Sequence, residues 1–464
     1  MTLIKSISGI RGTIGGLASQ ALSPVDIVNF SAAYAQRLKI RLPGRSKYKV
    51  VVGRDARISG EMVDSLVCGT LMGCGIDVVN AGLASTPTVE MAVLFEQADG
   101  GIILTASHNS KEWNALKLLN ELGEFLDAQE GERLLQLAER GEFLFSDVDH
   151  LGKITYKDFT DQHIQAVMEY PLVDVEAIYR AGFSVVLDSV NSVGGIVMPK
   201  LFAALGVNCI VINGEPTGNF AHNPEPLPEH LVELSERVVS ERADLGVSVD
   251  PDVDRLALMC EDGTPFGEEY TLVSVADYIL SEKPGNTVSN LSSTRALRDV
   301  TEGHGANYYA SAVGEVNVVT KMKEVGAVIG GEGNGGVIVP DFHYGRDALI
   351  GVALFLSSLA RKKITASALK KRYPQYFASK NKIQLSDNNL IDKILEKIKM
   401  TYSSEKINTI DGVKIDFEES RKWVHLRRSN TEPIIRVYAE APTQAEADIL
   451  ASDVMRIAKE IIEF

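Results

Sequence analysis

The sequence predicts an α/β protein with three similar mixed α/β domains, a smaller α+β domain at the C-terminus, and a central cleft between the four domains. At 464 residues, 45% of them apolar and 23% charged, the chain can bury several hydrophobic cores. A helix ended by glycine and followed by a short apolar strand occurs three times, at 71–79, 202–211 and 300–309. This repetition predicts the three α/β domains.

Each domain has its own pattern of elements. Polar, irregular stretches near 145–158 and 361–382 are predicted to be connections, and together with the patterns they place the domains at 1–148, 149–245, 246–365 and 366–464. The α/β domains are predicted to contain apolar strands at 49–52, 183–187 and 287–291. The last domain is predicted to contain strands at 413–417, 423–426 and 434–439 and a helix at 443–462.

Charge and apolar content narrow the classes of partner. The net charge of -15 is dispersed along the chain, which argues against nucleic acid and requires a local basic pocket for any anionic substrate. The most apolar window, 348–359, is too short for a membrane span of about 20 residues and predicts a core helix instead. We expect no membrane partner, and either a monomer or a homodimer.

Cysteine usage and the N-terminus favour the cytoplasm. The four cysteines show no paired CxxC spacing and lie in apolar or small-residue surroundings typical of buried thiols: Cys68, Cys74, Cys209 and Cys260. The first residues lack a long apolar stretch with a cleavage site. The sequence therefore predicts a cytoplasmic protein with free thiols.

Three alternating carboxylates give the clearest chemical signal. Asp250, Asp252 and Asp254 lie between two apolar stretches that read as buried strands, 245–249 and 256–260. Carboxylates at this spacing bring hard oxygen ligands to one point, which suits Mg²⁺. A calcium EF-hand is excluded because an EF-hand loop needs glycine where this chain has Arg255. An EF-hand loop also lies between two helices, whereas the flanks here are predicted to be strands.

A serine follows a buried strand in the run Gly100 to Asn109. The strand leads into Thr105-Ala106-Ser107-His108-Asn109, which presents Ser107 beside His108. A nucleophilic or phosphorylated serine needs such exposure at a strand end, although a serine turn with a hydrogen-bonded histidine would look the same. No acid at triad spacing supports a Ser-His-Asp hydrolase.

A glycine-rich stretch lies at 330–336. Five glycines surround Glu332 and Asn334, so the backbone can approach a ligand closely while the two side chains bind vicinal hydroxyls, as at a sugar site. A flexible turn is the alternative. The stretch lacks the Gly-Lys-Ser/Thr ending of a P-loop.

A basic turn between two strands lies at 427–436. Its candidate substrate-binding residues are Arg427, Ser429, Asn430, Thr431 and Arg436. Guanidinium groups with hydroxyls and free backbone N–H groups are the chemistry of a phosphate monoester site, and a solvated basic turn is the alternative.

The four loops, in this order, resemble those of the α-D-phosphohexomutase family, which includes phosphoglucomutases, phosphomannomutases and phosphoglucosamine mutases. The resemblance covers essentially the whole chain. It implies four domains around a cleft, a hexose or hexosamine monophosphate as substrate, and a hexose 1,6-bisphosphate as intermediate and activator. Phosphoryl transfer between the C6 and C1 oxygens would then proceed through a phosphoserine.

The resemblance also assigns roles to residues. Ser107 would carry the phosphoryl group, and Mg²⁺ would bind Asp250, Asp252, Asp254 and one phosphoryl oxygen on Ser107. The remaining catalytic candidates are the basic residues of the corresponding loops: Arg11, His108, Lys117 and Arg255. Glu332 would read sugar hydroxyls common to both orientations of the intermediate, and the loop at Arg427 would hold either phosphate.

Two departures from the family pattern bear on chemistry. Asn334 and Gly336 replace a serine and a histidine that many relatives have in the sugar loop, so Lys117 becomes our candidate for handling the hydroxyl proton. Ser110 replaces a proline. The Thr105-Ala106-Ser107 sequence and the glycine-rich loop look most like phosphoglucosamine mutases, which predicts glucosamine 6-phosphate as substrate, with glucose or mannose phosphate as alternatives.

Two other functions fit the sequence less well. An alkaline-phosphatase-like hydrolase would need more histidine ligands, yet the eight histidines form no HxH or HxxxH pair. An inactive sugar-phosphate sensor would need Arg427 and Glu332 but not the carboxylates or Ser107.

Overall fold

The computed structural model of the chain describes residues 2–6, 9–385, 389–428 and 434–462. They form two compact units. The first contains Met1–Thr271 and Gly335–Ala368, and the second contains Leu272–Asn334 and Leu369–Phe464. No helix in the described ranges is both long and apolar enough to cross a bilayer.

The first unit opens with a seven-stranded sheet. Its strands are β1 (Leu3–Ser6), β2 (Gly9–Thr13), β3 (Tyr48–Arg54), β4 (Ile76–Leu83), β5 (Gly100–Leu104), β6 (Trp113–Leu119) and β7 (Ile154–Tyr156). The helices among them are α1 (Pro24–Arg41), α2 (Gly60–Gly73), α3 (Thr86–Phe95) and α4 (Ala128–Arg140). The order is β1-β2-β6-β5-β3-β4-β7, with β3 parallel to both β4 and β5.

Strand β3 shows why this sheet is covered on both faces. Val50 and Val52 join a core with α1, α2 and α4, whereas Val51 joins a core with α3. Successive strand residues point to opposite faces, so a run of three valines buries both. Helix α1 begins in a capping box, in which the Ser23 side chain accepts from the Asp26 N–H and the Asp26 carboxylate accepts from the Ser23 N–H.

A second sheet follows in the same unit. Its elements are α5 (Thr160–Glu169), α6 (Val175–Ala181), β8 (Ser184–Asp188), α7 (Gly194–Ala204), β9 (Asn208–Ile212), α8 (Val232–Glu241), β10 (Leu245–Val249) and β11 (Leu256–Cys260). Short 3₁₀ turns lie at Val148–His150 and Pro228–His230. The order is β11-β10-β8-β9, with β8 parallel to β9 and β10, and β11 antiparallel to β10.

This sheet corrects one domain boundary. We predicted that a third domain begins at 246 and carries the Asp250 loop. That placement was wrong, because β10 and β11 on either side of the loop pair with each other and β10 pairs with β8. The carboxylate loop therefore belongs to the second sheet, and the chain leaves that sheet only after Cys260.

The third group of elements is divided between the units. It comprises α9 (Glu268–Glu282), β12 (Asn286–Asn290), α10 (Ala296–Gly303), β13 (Tyr308–Ser311), α11 (Glu315–Val325), β14 (Ala327–Glu332), β15 (Gly336–Ile338), α12 (Ala348–Lys362) and α13 (Ala366–Lys370). In the second unit, β12 lies between β13 and β14 and is parallel to both. Helix α12, in the first unit, is buried from Ala348 to Leu359, which confirms the predicted core helix.

The C-terminal elements form an antiparallel sheet with two helices on it. They are β16 (Phe377–Gln384), α14 (Asn389–Thr401), β17 (Lys406–Asn408), β18 (Val413–Phe417), β19 (Lys422–Arg428), β20 (Ile434–Ala441) and α15 (Gln444–Ile462). The order is β16-β20-β19-β18-β17. Apolar side chains of α14 and α15 pack on this sheet, which confirms a smaller α+β arrangement.

Some local expectations differ from the structure. The stretch 145–158, predicted as a connection, contains β7, and 361–382 contains α13 and the start of β16. The thiol of Cys209 is only half-buried, whereas Cys68, Cys74 and Cys260 are buried as expected. None of the four forms a disulfide bond.

Candidate functional site

The serine loop begins where β5 ends. Ser107 has a φ of 50°, a left-handed conformation that is uncommon for a residue with a side chain, and it is 8% exposed. Its N–H donates to the Thr105 hydroxyl at 2.9 Å, and its own hydroxyl donates to Asp250 Oδ2 at 2.7 Å. The predicted nucleophile and the predicted metal loop therefore meet in the first unit.

A buried arginine holds this loop in place. Arg57 Nη2 donates to the carbonyl oxygens of Ser107 and Asn109, and Nη1 donates to those of Ser110 and Trp113. Its Nε donates to Asp55 Oδ2 at 2.9 Å. The guanidinium is fully buried, so all five of its N–H groups are satisfied by one carboxylate and four carbonyls. The loop conformation thus depends on a side chain that follows β3.

The carboxylate loop is a tight turn between β10 and β11. Asp250 Oδ1 accepts from the backbone N–H groups of Asp254 and Arg255 at 3.2 and 3.1 Å, which closes the turn around that carboxylate. Val253 adopts a φ of 63°, a strained conformation for a β-branched residue. The Pro251 carbonyl accepts from Ser192 Oγ at 2.6 Å.

The three carboxylates could hold a divalent cation. One oxygen from each of Asp250, Asp252 and Asp254 lies within 4.8 Å of the others, and all three residues are 0% exposed. Oδ1 of Asp252 and Oδ1 of Asp254 are buried without a hydrogen-bond partner among the described residues. Buried carboxylate oxygens of this kind are costly unless a cation or donor satisfies them, and hard oxygens suit Mg²⁺.

The pKa values of two of the triad carboxyls are shifted by burial and by neighbouring charges. Burial, together with the neighbouring charges of Asp254 and Asp252, raises the pKa of Asp250 well above its usual value. Burial also acts to raise the pKa of Asp252, but the Lys117 ammonium outweighs it and holds that pKa below the usual range. Like charges this close to one another are tolerated only with nearby positive charge.

Two cations and one hydroxyl supply that compensation. Lys117 Nζ, on β6, lies 2.7 Å from Asp252 Oδ2 and 3.3 Å from Asp254 Oδ2. Arg346 Nη2 donates to Asp254 Oδ2 at 2.7 Å, and the Thr86 hydroxyl donates to Asp252 Oδ2 at 2.6 Å. Although burial opposes it, the two aspartates raise the pKa of Lys117, so its ammonium form is favoured.

His108 is held neutral beside the serine. Its Nδ1 lies 3.4 Å from Ser107 Oγ. Burial lowers its pKa well below the usual value, and the positive charges of Arg255, Arg346 and Arg11 lower it further. The predicted basic residues Arg11 and Arg255 are therefore close enough to His108 to act on it electrostatically.

The predicted sugar residues lie in the second unit. Glu332, at the end of β14, is buried, and its Oε1 accepts from Asn290 Nδ2 at 2.9 Å and from the Gly314 N–H at 3.1 Å. Asn334 is half-buried. The Gly333 N–H donates to Ser293 Oγ at 3.0 Å, which ties the glycine-rich stretch to the loop after β12.

The described part of the phosphate turn lies in the same unit. Arg427 and Arg436 are paired across β19 and β20, so their side chains leave the same face of the sheet. Arg427 Nε lies 3.2 Å from Asp411 Oδ2, and this carboxylate also accepts from the Val313 N–H at 3.0 Å. Ser429, Asn430 and Thr431 lie outside the described residues.

His425 joins the two groups of loops in the second unit. Its Nδ1 is 2.9 Å from Ser292 Oγ, and its Nε2 is 2.6 Å from the carbonyl oxygen of Asp411. Burial lowers its pKa to about 4, so the ring is neutral near pH 7. The N–H groups of Val313 and Gly314 are adjacent in the chain. The first donates to Asp411, which pairs with Arg427, and the second donates to Glu332, the predicted sugar-binding residue.

The sequence analysis missed four residues at these sites: Arg57, Thr86, Arg346 and Asp411. Arg57 had a detectable signal, because it follows a buried strand, and ligand sites in α/β folds lie at the carboxyl ends of such strands. Thr86 and Arg346 come close to the triad only through the folding of distant elements.

Comparisons with known proteins agree with this geometry. Four phosphoglucomutase/phosphomannomutase models match: alpha/beta/alpha domain I at 3–145, domain II at 161–263, domain III at 267–376 and the C-terminal domain at 381–457. A phosphoglucomutase/phosphomannomutase of Thermococcus kodakarensis is 35% identical, with 94% of this chain and 95% of that protein aligned.

Two further proteins are similar over nearly the full length. A phosphoglucosamine/phosphogalactosamine mutase of Sulfurisphaera tokodaii is 31% identical over 97% of this chain and 98% of its own. The crystal structure of a phosphoglucomutase/phosphomannomutase family protein from Burkholderia thailandensis has a TM-score of 0.83 and 26% identity, covering 99% of this chain and 98% of that one. With all four domain models matched in order around the serine and carboxylate loops, the chain belongs to the phosphoglucomutase/phosphomannomutase family of α-D-phosphohexomutases, which are isomerases.

Proposed function

We propose that the protein moves a phosphoryl group between the C6 and C1 oxygens of a hexosamine phosphate, converting glucosamine 6-phosphate to glucosamine 1-phosphate through phosphoserine at Ser107. One observation carries the proposal. The Ser107 hydroxyl lies 2.7 Å from a member of a buried carboxylate triad whose free oxygens point to a cation site. The serine of a hydrolytic triad donates its hydroxyl proton to a histidine, whereas this hydroxyl donates to Asp250 and lies 3.4 Å from His108 Nδ1.

Each reaction cycle transfers two phosphoryl groups. Phosphorylated Ser107 gives its group to the free hydroxyl of the sugar monophosphate: the Oγ–P bond breaks, a sugar O–P bond forms, and the hydroxyl proton ends on the freed serine oxygen. The resulting 1,6-bisphosphate turns over. Its other sugar O–P bond then breaks as the Oγ–P bond forms again, and the serine proton ends on the freed sugar oxygen. Positioning and neutralisation of charge account for most of the rate in such transfers.

The positive groups of the first unit are assigned to the transferring phosphoryl group. Arg11 and Arg255 would offset its negative charge. Burial, helped by the charges of the same two arginines, also lowers the pKa of His108. Lys117 remains our candidate for proton transfer. Its raised pKa makes it better suited to give a proton to the departing serine oxygen than to take one from a hydroxyl.

The residues of the second unit are assigned to substrate binding. Glu332 and Asn334 would bind sugar hydroxyls, and Arg427 and Arg436 would bind the phosphate that is not being transferred. Ser429, Asn430 and Thr431 complete the proposed phosphate turn. Because the intermediate binds in two orientations, these groups would contact either phosphate and either face of the same ring.

Asp250, Asp252 and Asp254 would hold Mg²⁺ together with an oxygen of the group on Ser107. When bound, the ion would act as a Lewis acid on that phosphoryl group. The two free Oδ1 atoms, and a candidate ligand set that among the described residues consists of carboxylates, favour Mg²⁺ over Zn²⁺.

The identity of the sugar distinguishes two candidate functions, a phosphoglucosamine mutase and a phosphoglucomutase/phosphomannomutase. The name of the relative from Sulfurisphaera tokodaii favours a hexosamine, whereas the name of the relative from Thermococcus kodakarensis favours glucose or mannose phosphate. We give priority to glucosamine phosphate because the loop at Thr105 and the glycine-rich stretch resemble phosphoglucosamine mutases.

A side-by-side rate comparison tests both levels of the proposal. The 6-phosphates of glucosamine, glucose and mannose are compared at equal Mg²⁺ and matched bisphosphate activator, and kcat/KM for glucosamine 6-phosphate should be the highest. Ser107→Ala, with Ser110→Ala as matched control, should lose turnover of all three by orders of magnitude. A higher kcat/KM for another sugar would move the assignment to that sugar, and full activity of Ser107→Ala would remove the phosphoserine.

A further inference from the structure

A cavity of about 390 Å³ lies between α1 and α4, and none of its lining residues belongs to the four chemical loops. Its size is within the range of pockets for small ligands. Eight side chains line it: Arg37, Ile40, Arg41, Glu130, Arg133, Gln136, Leu137 and Arg140. Four of the eight are arginines, in a chain whose net charge is -15.

The cavity lies at the edge of the first sheet opposite Ser107. Arg41 Nη2 pairs with Glu121 at 2.6 Å, just beyond the end of β6. That end of β6 pairs with the start of β5, because Leu119 is opposite Gly101, whereas Ser107 follows the far end of β5. A ligand in the cavity would therefore not contact the reacting groups.

Acidic side chains compensate only part of the positive charge. Arg37 Nη2 lies 2.6 Å from Glu130 Oε1, and Arg41 Nη1 lies 3.0 Å from the same oxygen. Arg133 and Arg140 have no ion pair among the described residues. Four guanidinium charges thus face the carboxylates of Glu130 and Glu121, which leaves an excess of two positive charges.

Arg37 adds a second, independent indication of a binding site. It is 5% exposed, yet its Nε and Nη1 have no hydrogen-bond partner among the described residues. A buried cation with unsatisfied donors is unfavourable by itself and is stabilised by nearby negative charge. Glu130 is shared with Arg41, so it cannot neutralise both guanidinium groups.

The apolar members of the lining define the rest of the ligand. Arg133, Gln136, Leu137 and Arg140 are at positions i, i+3, i+4 and i+7 of α4, so they share one face of that helix. Leu137 lies between the two free arginines on this face. Ile40 on α1 is 59% exposed, a large apolar surface for a lining residue. A bound molecule would meet both guanidinium groups and hydrocarbon.

We propose that this cavity binds a phosphate monoester with a compact carbon skeleton, at a site distinct from the catalytic one. A phosphate monoester carries a charge of about -1.5 to -2 at neutral pH, which matches the excess of two positive charges. Arginine forks bind phosphate oxygens in pairs, and the carbon skeleton would pack on Ile40 and Leu137. The proposal does not depend on which sugar the catalytic site converts.

The test measures binding and its location in the full-length protein. Glucose 6-phosphate, adenosine 5′-monophosphate and inorganic phosphate are titrated by calorimetry, and hydrogen–deuterium exchange locates protection along the chain. Arg133→Gln/Arg140→Gln removes the two free cations. Arg180→Gln/Arg237→Gln, on α6 and α8 of the same unit and outside the cavity lining, removes equal charge elsewhere.

We expect at least one of the two organic phosphates to protect α1 and α4 in wild-type and control protein. The Arg133→Gln/Arg140→Gln protein should bind it at least about tenfold more weakly, with kcat/KM for the mutase reaction unchanged. Binding of glucose 6-phosphate would identify a sugar phosphate as the source, and binding of adenosine 5′-monophosphate would identify a nucleotide.

Three results would overturn the proposal. The first is the absence of protection in α1 and α4 with either organic probe. The second is equal affinity of the Arg133→Gln/Arg140→Gln and control proteins. The third is binding of inorganic phosphate as tight as that of both organic probes, which would remove the role of Ile40 and Leu137. Loss of mutase activity in all proteins would concern only the catalytic proposal, since the binding readout does not require turnover.

Discussion

Replacing Arg57 by lysine should disable the serine loop while keeping the positive charge. The guanidinium makes five hydrogen bonds, one to Asp55 and four to carbonyl oxygens of the segment from Ser107 to Trp113. An ammonium has at most three donors, so at least two buried acceptors lose their partner. Each unsatisfied buried group costs about 1–3 kcal/mol, so the expected destabilisation is about 2–6 kcal/mol.

This cost falls on the loop that must hold Ser107 in its left-handed conformation. We therefore expect faster hydrogen exchange in 105–115 and a drop of at least tenfold in the rate at which hexose 1,6-bisphosphate phosphorylates Ser107. Mass spectrometry of the Ser107 peptide measures the second quantity directly. Thermal unfolding measures how much of the cost reaches the rest of the protein.

Arg54→Lys is the matched control. Arg54 is on the same strand end but is only partly buried, and it donates to the carbonyl oxygen of Asp55 at 3.2 Å, a contact that lysine can replace. Wild-type exchange and phosphorylation rates in Arg57→Lys would refute the argument, because the loop would then hold its conformation without the guanidinium fork.

Three further predictions follow from other contacts. Asp252→Asn should remove the main partner of Lys117 and one negative charge of the triad, so activity should fall by orders of magnitude. Mg²⁺ should raise the melting temperature of the wild-type protein but not that of Asp252→Asn, and an equal Mg²⁺ effect in both would contradict this. Asp411→Asn should raise KM about tenfold with a smaller change in kcat, because Asp411 pairs with Arg427, which is assigned to substrate binding and not to the chemical step. A change in kcat alone would contradict this. The pKa of His425 is lower in the folded protein than in the unfolded chain, so the protein should lose stability as pH falls from 6.5 to about 4. His425→Gln should show a smaller loss, since His108 contributes in the same direction; parallel pH profiles of the two melting temperatures would disprove the role of His425.

Sequence patterns predicted the elements that bury one continuous apolar run. Helix α12 and strands β18, β19 and β20 lie where their hydrophobic periodicity placed them. Strands β7 and β16 were not predicted, because β7 is short and exposed and β16 alternates buried and exposed residues with lysines among them. Edge strands of this kind gain their order from a partner strand, which local sequence does not reveal.

The candidate site was predictable where chemistry is local and not where it depends on packing. Asp250, Asp252 and Asp254 are close in sequence, so their convergence followed from spacing alone. The position of Arg57 after a buried strand marks it as a candidate in the sequence, but does not show which groups it contacts. Its role depends on the parallel pairing of β3 and β5, which brings the ends of two strands 50 residues apart to the same edge of a sheet.

The hydrogen bond from Ser107 to Asp250 has a consequence for the two chemical forms of the serine. It exists only while the serine oxygen carries a hydrogen, since a phosphorylated serine accepts and cannot donate from that oxygen. Ser107 belongs to the first sheet and Asp250 to the second, so the bond joins two layers of the first unit. By thermodynamic reciprocity, whatever free energy this bond gives to the approach of the two loops opposes phosphorylation by the same amount. Without a bound cation, the unmodified protein therefore has one hydrogen bond between the two loops that the phosphorylated protein lacks. The covalent state of the serine oxygen thus changes how strongly the first sheet is held to the second.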